Sequence, residues 1–89
     1  MKEGLDLELQ DPEFAAVYLT ESYNDSTEAF LVALGDVIRV RDGGIKRFAE
    51  ESHRARLGMT RALSGHGNPG FAYVRDVLTK LDLKIAITR

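Results

Sequence analysis

The strongest constraint on this chain is a single amphipathic stripe. Phe30, Leu31, Leu34, Val37 and Ile38 recur at helical spacing in a segment that opens at Asp25 and stops at Asp42-Gly43-Gly44. Residues three and four apart share one face of a helix, so such a stripe must be buried against something. Asp25, with Glu28 three residues later, resembles a capping box. The glycine pair closes the helix, because glycine accepts the left-handed geometry common at a helix C-terminus. The spacing predicts a helix running to about Arg41.

A helix of this kind needs neighbours, and the flanking sequence supplies them. Asp11-Pro12-Glu13 combines a capping side chain, a proline suited to the first helical position and an acid suited to the positive end of the dipole. The helix it starts is predicted to bury Phe14, Ala15, Val17 and Tyr18 and to end near Tyr23-Asn24. Between Ile45 and Leu63 the apolar positions again fit a helical period. From periodicity alone, this stretch draws as one helix of about nineteen residues. Gly65 and then Gly67-Asn68-Pro69-Gly70 form a loop. A last helix begins near Phe71 and is predicted to bury Phe71, Val74, Val77, Leu78 and Leu81. Leu83 to Thr88 alternates apolar and more polar residues with β-branched enrichment, which predicts a short strand. That strand would need a partner, either the N-terminal segment or another copy of the chain. Residues 1–10, anchored only by Leu5, Leu7 and Leu9, read as a flexible or strand-like segment ahead of a single domain over 11–89.

Length and composition narrow the function. At 89 residues the chain makes one domain with a thin core. It has no cysteine, which excludes a disulfide framework and thiolate metal sites and suits a reducing cytoplasm. No apolar run approaches membrane-spanning length, and Met1-Lys2-Glu3-Gly4 leads into acids rather than a secretory leader. The net charge of −2 conceals an asymmetry. Residues 1–36 carry one base against nine acids, a net of −8, whereas residues 37–89 carry eleven bases against five acids, a net of +6. Such a division suggests two surfaces with different partners.

Catalytic chemistry is missing from the pattern. Neither His53 nor His66 has a second ligand at metal spacing, and Ser22, Ser26, Ser52 and Ser64 lack a nucleophile-elbow setting. The glycines of residues 65–70 come without the lysine of a phosphate-binding loop and read as a turn. The expectation is a protein that is not an enzyme, with no cofactor, no metal and no small-molecule substrate.

The basic charge concentrates in residues 39–61, where seven bases face three acids, a net of +4. Such a concentration could provide the electrostatic footprint of a nucleic-acid surface, although arginines on exposed helix faces are common. Within and around it, Ala33-Leu34-Gly35-Asp36-Val37, Gly44-Ile45, Arg61-Ala62-Leu63-Ser64-Gly65 and Gly67-Asn68-Pro69 resemble the addiction module antidote family of small bacterial antitoxins, HigA-like in type. The closing Val77 to Ile85 is similar to that family's final helix and terminal strand. The resemblance covers about residues 12–87.

The resemblance implies a mostly α fold, a five-helix λ-repressor-like helix-turn-helix domain with a short C-terminal β-strand. It implies an antitoxin that binds its own operator DNA as an autorepressor and neutralises a cognate RelE-like ribonuclease. Ile45 to Ser52 would be the first helix of the motif and Arg56 to Ser64 the recognition helix. Arg56, Leu57, Thr60 and Arg61 would face the major groove, where arginine pairs with guanine and leucine touches a thymine methyl. Lys46 and Arg47 would grip phosphate, and Asn68 would meet backbone or base edges. Arg54 joins this set, although the family usually packs an apolar residue there. His53 replaces the usual glycine of the turn, Ala55 the usual serine cap, and Gly58 interrupts the helix. The break at 53–55 rests on the resemblance. Leu5, Leu7, Leu9, Leu83, Ile85 and Ile87 are candidate contacts for a toxin or for a second copy in a homodimer. Two other readings remain open: a stand-alone repressor without a toxin, and a helical interaction module whose DNA-binding motif has decayed.

Overall fold

The computed structural model describes residues 7–89. A single helical turn at residues 7–9 precedes five helices: α1 (Pro12–Asp25), α2 (Thr27–Arg39), α3 (Gly44–Glu51), α4 (Arg56–Ala62) and α5 (Phe71–Lys80). The Asp11 side chain accepts a hydrogen bond from the Glu13 amide at 3.0 Å and caps α1, with Pro12 in the first turn. The next cap differs from the one expected. Asp25 is the last residue of α1, and Ser26 does the capping. The Ser26 amide donates to Ser22 O at 3.1 Å while its hydroxyl accepts from the Ala29 amide at 3.0 Å. One extended residue thus closes α1 and opens α2, and the two helices pack against each other.

α2 is the central element. Leu31, Ala33, Leu34, Gly35, Val37 and Ile38 are all buried on it, with Leu34 and Ile38 wholly enclosed together with Met59 and Val77. Gly43 and Gly44 both adopt positive φ, 82° and 59°, and turn the chain directly into α3. A Cβ on Gly43 would lie 2.5 Å from Arg47 Cβ, so only glycine fits.

Several expected placements are corrected. Val17 and Phe71 are exposed, at 56% and 70%, while Leu19 enters the core instead. Phe71 opens α5, where the first turn has no preceding turn of its own helix to cover the ring. The N-terminal segment is neither strand nor free tail from residue 7 onward. Leu9 is buried among the core residues, and Gln10 Nε2 donates to Val40 O at 3.1 Å. Leu5 lies outside the described residues. Residues 83–89 form no strand. A strand exists only against a partner ladder, and no second extended segment pairs with this one among the described residues. Leu83 instead finishes α5, its amide reaching Leu78 O at 2.9 Å while the Asp82 amide reaches Thr79 O at 3.0 Å. This is a Schellman closure with Asp82 at φ 61° in the glycine position.

Candidate nucleic-acid interface

The stretch that periodicity draws as one helix is two. α3 closes with the same Schellman geometry: the His53 amide donates to Glu50 O at 3.1 Å and the Arg54 amide to Ala49 O at 2.8 Å. His53 sits in the left-handed region, φ 56°, the conformation glycine adopts most readily. The chain leaves this turn extended at Ala55 and begins α4 at Arg56. Phe48 and Ala49 from α3 and Met59 from α4, followed by Leu63, anchor both helices in the core.

The rest of α4 is outward. Arg56, Leu57, Thr60 and Arg61 are all exposed, Leu57 at 60%. Arg56, Arg61 and Lys46 form no ion pair with any described residue. Asn68 is exposed in the loop that follows. Gly67 in that loop is irreplaceable, since a Cβ there would sit 2.1 Å from Ala62 O. This close approach is what the glycine before Asn68-Pro69 serves.

Two of the expected DNA-facing cations are engaged elsewhere. Arg47 pairs with Asp42 at 2.9 Å and Glu51 at 3.2 Å, both on the surface. Arg54 turns inward to α5: its guanidinium carbon lies 4.1 Å from the centre of the Tyr73 ring, and Nη2 donates to Asp76 Oδ2 at 3.3 Å. Asp76 also accepts from Lys80 Nζ at 3.0 Å. The Lys80 hydrogen bond, seconded by Arg54, holds the Asp76 carboxyl below its ordinary range against the opposing effect of partial desolvation. Burial pushes the Tyr73 phenol up. The resemblance implies an apolar residue at position 54, and here a stacked, ion-paired guanidinium stands there. The hydrophobic pattern does not single out Tyr73 and Asp76, although their spacing of three on a helix places them on one face.

The remaining candidates fall on other surfaces. Leu7 is 69% exposed beside buried Leu9. Leu83 is partly buried, whereas Ile85 and Ile87 stand out at 51% and 95%. Among the described residues no cluster of three potential metal-ligating side chains occurs, and no helix is long and apolar enough to cross a membrane.

Five helices around one core, with Arg56 and Arg61 of α4 exposed and outside any ion pair with the described residues, define a small all-helical protein. The chain belongs to the family of probable addiction module antidote proteins, whose family model matches residues 4–89. An uncharacterized protein of Haemophilus influenzae (strain ATCC 51907 / DSM 11121 / KW20 / Rd) is 38% identical over 80 residues, covering 89% of this chain and 80% of that relative. No solved structure matches the chain. Membership of an antidote family gives the protein an antitoxin role and implies a toxin as partner.

Proposed function

We propose that this antitoxin is also a DNA-binding autorepressor, of HigA-like type, in which α3 and α4 form a λ-repressor-like helix-turn-helix. The observation that carries the reading is the left-handed break at His53, which frees α4 from α3 and leaves Arg56, Leu57, Thr60 and Arg61 together on its solvent side. Arg56 and Arg61 take guanine edges, Leu57 a thymine methyl, and Thr60 a polar base edge. Lys46, exposed at the start of α3, and Asn68 take phosphate. Arg47 can join them only by leaving Asp42 and Glu51. Arg54 is left to its partners on α5.

The acidic first half points to a basic partner, and the reading assigns it to a RelE-like ribonuclease toxin in the cytoplasm. Two copies joined through residues 83–89 would present two α4 helices to successive major grooves, as dimeric repressors do.

Titration of the protein against its own upstream DNA and against a scrambled duplex tests the reading. Arg56→Ala and Arg61→Ala each lower affinity for the specific site by about 1–3 kcal/mol. Lys46→Ala weakens both duplexes alike and flattens the salt dependence. Equal affinity of the unmodified protein for both duplexes at moderate salt rules out the repressor.

A further inference from the structure

α4 has little of its own to hold it. It is seven residues long, Ala55 gives it no capping side chain, and Gly58 lies in its interior. Helices this short are marginal without outside support, and a missing cap and an interior glycine each weaken them further. Its packing is chiefly on α3. The residue that leads into it, Arg54, is nonetheless fastened to a different element. Its guanidinium lies over Tyr73 and bonds Asp76, both on α5, while its amide closes α3 on Ala49 O. Arg54 Nε and the Tyr73 hydroxyl are enclosed without hydrogen-bond partners, so stacking and the single Asp76 bond hold the group in place.

We infer that Arg54, Tyr73 and Asp76 form a clamp that fixes the pose of α4 relative to α5, making them positioning residues for DNA recognition. The inference rests on the DNA-binding reading for its consequence, but the clamp itself does not. The clamp gives a prediction opposite in sign to plain electrostatics. Asp76→Asn removes a negative charge and releases an arginine, so electrostatics alone strengthens binding to every duplex. A clamp loses operator affinity while scrambled DNA binds as before or better.

The experiment compares the full-length protein with Asp76→Asn, Asp76→Glu and Lys80→Gln. Affinities for operator and scrambled duplexes are measured beside amide hydrogen exchange. Expected for Asp76→Asn is an operator-to-scrambled ratio lowered about tenfold, with exchange accelerated across α4 and unchanged in α1. Asp76→Glu restores both readings, and Lys80→Gln, which spares the Arg54 pair, alters neither. Parallel strengthening on both duplexes, or α4 protection left unchanged in Asp76→Asn, overturns the clamp. If the unmodified protein shows no operator preference, the DNA reading fails and the exchange result decides the clamp alone. Should Asp76→Asn not fold, Arg54→Lys keeps the charge but loses the planar stack, and slower α4 exchange than in the parent protein, or none beyond it, refutes the clamp.

Discussion

His53 and Asp82 share a left-handed conformation, one that His and Asp adopt more readily than most side chains but at a cost relative to glycine. Both sit at positive φ, 56° and 61°, at the turning point of a Schellman closure. A side chain in the left-handed region costs roughly 1–2 kcal/mol, whereas glycine there loses about 0.5–1 kcal/mol through the freedom of its unfolded chain. The first term is the larger. His53→Gly and Asp82→Gly are therefore expected to raise stability by about 0.5–1 kcal/mol each, an increase in Tm of a few degrees for a domain of this size. Thermal unfolding followed by circular dichroism measures it, and a lower Tm for His53→Gly would show that the imidazole makes a compensating contact. Gly43 offers the contrast, because its φ of 82° and the 2.5 Å approach to Arg47 make any side chain costly there.

Among the elements, α2 was the most legible in sequence and α4 the least. The stripe from Phe30 to Ile38 placed α2 against the core, but α2 ends at Arg39 on a right-handed Val40, and the glycines at 43 and 44 serve the start of α3, with Gly43 as its N-cap. Periodicity could not divide α3 from α4, because Phe48, Ala49, Met59 and Leu63 stay in helical phase on either side of the turn. Backbone conformation at His53 makes the break, and that is invisible to a hydrophobic pattern. The family resemblance located it. The Arg54 site was legible only as a cation, since its partners lie 19 and 22 residues away on α5. Across the α1–α2 pair, Tyr18 donates to Asp36 Oδ2 at 3.0 Å, and burial first, then that hydrogen bond, raises the phenol pKa. Tyr18→Phe should cost about 0.5–1.5 kcal/mol near neutral pH. A raised pKa in the folded state means the stabilising contribution is complete below pH 10.0 and is lost as pH rises through the folded value. The difference between Tyr18→Phe and the parent protein should accordingly shrink in strongly alkaline buffer, as denaturant titrations at several pH values would show.

At the scale of the whole molecule, residues 83–89 form a tail without a ladder partner among the described residues. The alternation of Leu83, Ile85 and Ile87 is real, but an alternating segment becomes a strand only when another strand pairs with it. Sequence pattern reports the capacity, and the partner decides the outcome. If a second copy is that partner, removing residues 84–89 should yield a monomer whose fold is intact, because the core ends with Leu81 and Leu83. Analytical ultracentrifugation of both forms reads this directly, and an equal mass ratio for the two would exclude the tail as the dimer contact.

The joint at Ser26 carries a consequence for how this chain can vary in length. A single residue both ends α1 and begins α2, and its amide and its hydroxyl are each committed to one helix. An insertion there would separate the two commitments and leave one helix end bare. The turn at 43 and 44 is constrained too, sterically at Gly43 and by positive φ at both glycines. The first half of the fold thus behaves as a ruler of fixed length. Added or lost residues can be absorbed beyond the core, after Leu83, far more readily than between the first three helices.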